Sequence, residues 1–261
     1  MNKNKIIIGT AQSDVNYGII KSKNFIHLSK FVKMNNFFID TAPVYKNSDL
    51  FFKKIGPNYK KIISKIPFNK NEANFEKSFK QDIKKIYSYS NSKKIYGILL
   101  HDSSMLQNKK KRNVIIQEIK ELKKKKLLKK FGFSVYSTME LKKNLKIIKP
   151  DIVQLPINIL NQTFLEKNLL KTLKNKKIEI HGRSIFLQGL LLLDHKKIPK
   201  NLINNKALIR FFKFIKNTKI SPLEHCIKFV QNIKEIDKFV VGFNSLDQLK
   251  QFLKSLKNIN Q

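Results

Sequence analysis

The sequence predicts a single α/β domain over residues 1–261, a closed (β/α)8 TIM barrel with parallel strands. Three observations carry that prediction. Eight short apolar runs punctuate the chain, longer amphipathic segments separate them, and 261 residues is a typical length for such a barrel. Short runs that are apolar throughout suit parallel strands covered on both faces. Their alternation with helical segments gives a parallel sheet.

The strand candidates follow in order. Ile6-Ile7-Ile8 ends at Gly9, Phe37-Phe38-Ile39 ends at Asp40, and Ile62-Ile63-Ser64 ends at Lys65. Ile95 to Leu100 ends at His101, and Lys130 to Phe133 ends at Ser134. Ile152 to Leu155 follows Pro150, Ile178-Glu179-Ile180 leads to Arg183, and Phe239-Val240-Val241 ends at Gly242. Helical faces at three- and four-residue spacing include Phe75, Phe79, Ile83 and Ile86, then Val114, Ile115, Ile119 and Leu122, then Leu246, Leu249, Phe252 and Leu256. Ser137-Thr138 and Ser221-Pro222 are helix-start signals. The stretch from Asn201 to Lys219 reads as an extra helix between the seventh strand and its usual helix. Lys109 to Arg112 and Lys123 to Lys126 read as solvated helix ends.

Composition narrows the function classes. One cysteine, Cys226, excludes a disulfide framework and any multi-cysteine zinc site. The formal charge is +36, yet all but three of the 54 basic residues are lysine. Arginine, the preferred residue for bidentate phosphate and base recognition, is nearly absent. Together with the abundance of Asn and Ile, this points to AT-rich codon usage rather than to a polyanion-binding surface. No apolar run approaches the length of a membrane span. With a polar start at Met1 to Lys5 and one thiol, the expectation is a cytoplasmic protein with neither nucleic acid nor membrane as partner.

There is no Gly-x-Gly-x-x-Gly and no Gly-Lys-Ser/Thr phosphate loop. The five histidines, His27, His101, His181, His195 and His225, show no metal spacing, so no metal is expected. His101 stands apart because it ends a buried strand. In a barrel, residues at strand C-termini meet at one rim. Asp40, Lys65 and His101 end three successive strands, and Tyr45 lies on the loop after the second. Singly they read as a buried ion pair, a surface phenol and a capping imidazole. Together they read as a proton-transfer site. A phenol is a poor acid at neutral pH until an ammonium beside it favours phenolate. An aspartate keeps that ammonium charged, and a neutral histidine can donate to a carbonyl oxygen.

Ile39-Asp40-Thr41-Ala42-Pro43-Val44-Tyr45, Ile63-Ser64-Lys65-Ile66 and Leu99-Leu100-His101-Asp102 resemble the Asp, Tyr, Lys and His motifs of the aldo-keto reductase family in type, order and spacing. The resemblance extends to Gly9-Thr10-Ala11, Gly132 to Val135, Val153-Gln154-Leu155, Arg183 to Gly189, and Gly242 to Leu249. It implies an oxidoreductase that reduces an aldehyde or ketone with NADP or NAD, with Tyr45 as general acid and Asp40, Lys65 and His101 around it. It implies cofactor contacts at Gly9, Thr10, Ala11, Asp40, Ser134, Gln154 and Arg183, with Ser134 and Gln154 on the nicotinamide carboxamide. Ser184, Leu187 and Gly189 would follow the pyrophosphate; Gly242, Ser245 and Gln248 would follow the adenosine. Substrate contacts are expected from Tyr17, Val44, His101, Asn158 and Phe186. A more local similarity, in Gly-Thr-Ala-Gln and Arg-Ser-Ile-Phe-Leu-Gln-Gly-Leu-Leu, is to a subgroup associated with bacterial gene clusters for surface polysaccharides and sugar nucleotides.

Three features depart from the pattern. Arg183 stands where many relatives place an aromatic ring, and the loop from Val241 to Ser245 carries no cation to pair a 2′-phosphate. The chain also ends shortly after its last helix. The long C-terminal loop that closes the pocket in many relatives is therefore expected to be absent, and the substrate site to be open or completed by another element. The competing reading is a catalytically weak or inactive barrel that serves as a binding or regulatory protein.

Overall fold

The computed structural model describes residues 3–11, 25–45, 48–67 and 74–259. Strand β1 (Ile6–Gly9) is followed by helix α1 (Phe25–Met34), β2 (Phe38–Asp40), α2 (Ser48–Ile55), β3 (Ile62–Ile66) and α3 (Phe75–Tyr89). Then come β4 (Ile95–Leu100), α4 (Lys109–Lys124), β5 (Leu128–Ser134), α5 (Thr138–Ile147), β6 (Ile152–Pro156) and α6 (Leu169–Asn175). The chain continues through β7 (Glu179–Arg183), α7 (Lys206–Lys216), α8 (Pro222–Gln231), β8 (Lys238–Gly242) and α9 (Leu246–Ile259).

The eight strands form a closed, all-parallel barrel in sequence order, with β8 paired to β1. The register sets Gly9 beside both Asp40 and Gly242, Asp40 beside Ile63, and Ser134 beside Gln154. Strand ends differ from expectation by a residue or two. β3 runs through Lys65 to Ile66, so Lys65 lies within the strand, and β5 starts at Leu128. β7 starts at Glu179 and extends to Arg183. The extra helix before α8 is α7; Asn205 caps it by accepting from the amides of Ala207 and Leu208.

Two apolar cores result. One lies between the outer faces of the strands and the helices and holds Phe51, Phe52, Phe79, Phe133, Phe164, Phe239 and Phe252. The other fills the barrel with Ile7, Ile63, Leu99 and Ile152. Gly97 faces Ile152 across this interior, leaving room for its side chain. Below that layer, at the N-terminal end, Glu179 accepts from Tyr96, Lys130 and Lys238 and bonds His181 Nε2 at 2.7 Å. Burial alone would raise the Glu179 carboxyl; His181 and the two lysines outweigh it and hold the pKa well below the usual carboxylate range. His181 is fully buried, and burial lowers its pKa against the opposing pull of Glu179. No described helix is long and apolar enough to cross a membrane.

Candidate active site

At the opposite end, the C-terminal mouth of the barrel opens into a cleft of about 500 Å³, within the ~300–1,000 Å³ range of small-molecule sites. Asp40, at the end of β2, forms an ion pair with Lys65 Nζ, and both side chains are almost completely buried. The second carboxylate oxygen of Asp40 accepts from Gln154 Nε2 at 2.8 Å. The ammonium is therefore fixed between β2 and β3, and Asp40 between β3 and β6. Tyr45 is half-buried on the turn after β2, where its amide donates to the Ala42 carbonyl. Lys65 Nζ lies 5.7 Å from the centre of the Tyr45 ring.

His101 follows β4 directly; its amide donates to the Ile66 carbonyl at 2.9 Å. Burial, then the Lys65 charge, push its pKa down to about 4, so the ring is neutral at physiological pH. Asp102 belongs to the next turn, accepting from the Ser104 amide.

Ser134 and Gln154 sit side by side on β5 and β6, both buried, and both line the cleft. Arg183, at the end of β7, reaches over them. Its Nε donates to Ser134 Oγ at 3.3 Å, its Nη1 to Ser184 Oγ at 3.4 Å, and its Nη2 to the Val135 carbonyl at 3.2 Å. Its guanidinium carbon stands 4.3 Å from the centre of the exposed Tyr136 ring. The loop after β7 is tightly wound: Ser184, Leu187, Gln188 and Gly189 all have positive φ. Gly189, at φ 90°, sits where L side chains are strained. Gly9, Ala11, Phe186 and Gly242 also line the cleft, which continues past Asn244 and Gln248 along α9 to Ser255.

Other expected residues lie elsewhere. Thr10 is buried behind the rim, donating to Thr41 Oγ1 at 2.8 Å. The winding of its loop turns Leu187 onto the outer core, and Gln188 lines the cleft instead. Ser245 caps α9 through the Gln248 amide. Asn158 is buried and shapes the loop after β6, accepting from Leu160 and Asn161 and donating to the Ser184 carbonyl at 3.2 Å. Val44 is exposed outside the lining, and Tyr17 falls outside the described residues. Tyr136, Gln188, Leu223, Gln251 and Ser255 line the cleft without having been singled out; for Tyr136 the available signal was its position two residues past β5. Among the described residues, no three His, Cys, Asp or Glu side chains could hold a metal ion.

Residues 5–260 match the Aldo/keto reductase family. The chain belongs to this family. A search of curated proteins found no match. Among solved structures, an aldo-keto reductase from Bacillus halodurans in its holo form is similar, with a TM-score of 0.78 at 15% identity over 97% of this chain and 86% of that one. The glycerol dehydrogenase of Gluconobacter oxydans has a TM-score of 0.69 at 16% identity, over 98% and 90% of the two chains. At such identities the likeness is one of fold. In this aldo-keto reductase, the mouth of the barrel brings Asp40, Tyr45, Lys65 and His101 to one cleft.

Proposed function

We propose that the protein is an NAD(P)H-dependent reductase of aldehydes or ketones, with Tyr45 as general acid. The observation that carries this is the convergence of Tyr45, Lys65, Asp40 and His101 on the cleft of a chain in this family. Lys65 stabilises the phenolate that forms as the Tyr45 proton leaves. Asp40 keeps the ammonium charged and in place without solvent. His101, neutral, donates to the carbonyl oxygen and aligns it with the phenol. The Tyr45 proton moves to that oxygen as negative charge develops on it.

The residues present fit a nicotinamide dinucleotide. Ser134 and Gln154 offer a hydroxyl and an amide side by side, the donor–acceptor set that matches a carboxamide. Ser184, Gln188 and Gly189, on the wound loop, would flank the pyrophosphate, and Gly242, Asn244 and Gln248 the adenosine. When bound, the cofactor supplies the hydride that adds to the carbonyl carbon. Among the described lining residues, those from α8, the loop after β8 and α9 carry no charge. The described lining of that arm thus offers no cation to a 2′-phosphate, Lys250 on α9 being the nearest in sequence, and NADH is expected to bind at least as tightly as NADPH.

The substrate is proposed to be sugar-derived, small enough for the mouth beside Tyr45 and His101. The local resemblance to the polysaccharide-associated subgroup supports this. The protein is proposed to work in the cytoplasm without metal or nucleic acid. The test is titration with NADH and NADPH, followed by turnover over a panel of sugar aldehydes and ketones. Saturable binding with reduction of one class supports the reading. Binding without turnover would favour the regulatory barrel, and no binding would overturn the reading.

A further inference from the structure

The cleft has three charged side chains among its described lining residues: Asp40, Lys65 and Arg183. The first two neutralise each other. Arg183 has no such partner among the described residues. Its guanidinium is held by two serine hydroxyls, a backbone carbonyl and the Tyr136 ring, all of them neutral. No carboxylate among the described residues lies within ion-pair distance of it. Its positive charge is felt at the reacting end, where it joins Lys65 in disfavouring protonation of His101. The hydrogen bonds to Ser134 and Val135 on one strand and Ser184 on another leave the head group little freedom.

The placement matters because of what a nicotinamide ring becomes. Reduced, the ring is neutral; oxidised, it carries a positive charge. The Ser134 hydroxyl proposed to hold the carboxamide is the same one that accepts from Arg183 Nε at 3.3 Å. A ring whose carboxamide bonded that hydroxyl would lie close to a fixed cation. Its charge would change beside the one cation among the described lining residues that no described carboxylate neutralises.

We infer that Arg183 makes the site discriminate between the redox states of its cofactor, accepting the reduced form and repelling the oxidised one. This rests on the cofactor placement under the proposed function. Arg183 is a specificity-determining residue in this sense: it weakens retention of the oxidised product and so favours its release after reduction. Unit charges a few ångströms apart in a partly desolvated cleft interact strongly enough to shift the ratio of affinities on the order of 10- to 100-fold. A guanidinium that served the pyrophosphate would act on both redox forms alike, so the ratio separates the two roles.

The test is calorimetric titration of the full chain with NADH and NAD+, repeated with NADPH and NADP+. It is run at high salt so that the field of the +36 chain is screened while the local contact persists. Arg183→Met removes the charge and keeps much of the length; Arg183→Lys keeps the charge. Circular dichroism checks that each variant folds. The wild type is expected to bind the reduced form more tightly. In Arg183→Met the oxidised-to-reduced ratio of Kd values should fall by about tenfold or more, mainly through tighter binding of the oxidised form, while Arg183→Lys keeps most of the preference. An unchanged ratio in Arg183→Met would overturn the inference, even if both forms bound more weakly. Failure of the wild type to bind either form would overturn the cofactor placement itself, and the inference with it.

Discussion

His101 meets charge from several sides. Lys65 and Arg183 oppose its protonation, and Asp40 and Asp102 favour it, but burial outweighs each of them and sets its pKa at about 4. The consequence for stability has a definite sign. Between about pH 4 and the unfolded-chain value near 6.5, the unfolded state binds a proton that the folded state refuses. Stability is therefore fully present above pH 6.5 and falls as the pH drops through that window. His181, buried and also lowered, acts in the same direction. In denaturant melts at pH 7.5 and pH 4.5, His101→Gln should lose less stability on acidification than the wild type, by about 1–3 kcal/mol. Equal losses would mean that the imidazole is not held neutral. The rate carries the matching expectation: above about pH 5, protonation of His101 contributes no limb to the pH profile of kcat/KM.

The strands show which parts of the site a sequence can disclose. Asp40, Lys65 and His101 were legible because each interrupts or follows an apolar run at the end that faces the barrel mouth. Tyr45 was legible from its distance past Asp40. The far end of the cleft beyond Gln248 was not, since Ser255 lies in the third turn of α9 and comes to the wall through helix packing. That the Leu187 side chain packs on the outer core was not legible for a local reason: successive left-handed residues rotate the loop after β7, which no hydrophobic pattern announces. The polar plug beneath the barrel was hidden for another reason. Glu179 sits inside an apolar triplet, and its partners come from β4, β5 and β8. Gly132 is a further case. It pairs with Leu99 on one side and Ile152 on the other. A Cβ there would run into the Ile152 carbonyl oxygen, a backbone atom that cannot swing away. Gly132→Ala should therefore force β5 and β6 apart and cost about 3 kcal/mol or more, read as a lowered Tm. An unchanged Tm would show that the two strands do not approach so closely.

At the scale of the whole molecule, the fold class was legible because length, strand count and alternation agree. The charge alone does not name a partner. A net charge of +36 belongs to many polyanion-binding proteins, but here lysine covers the helices while the cleft holds three charged side chains among its described residues. Of the arginines, Arg183 is turned into the cleft and Arg112 donates to the Leu106 carbonyl. Binding to DNA should then be diffuse attraction to phosphate. The protein should be retained on immobilised DNA at low salt and released by about 0.3 M salt. Retention beyond that would reveal a dedicated nucleic-acid surface. The central claim concerns Tyr45 as the acid. The most direct measurement compares Tyr45→Phe with the wild type in NADH or NADPH oxidation driven by the best carbonyl substrate, with cofactor affinity measured on the same samples. Loss of the phenolic proton should lower kcat by about 10²–10⁴-fold and leave the cofactor Kd unchanged. A variant that turns over as fast as the wild type would contradict the assignment and move the proton source to another group in the cleft.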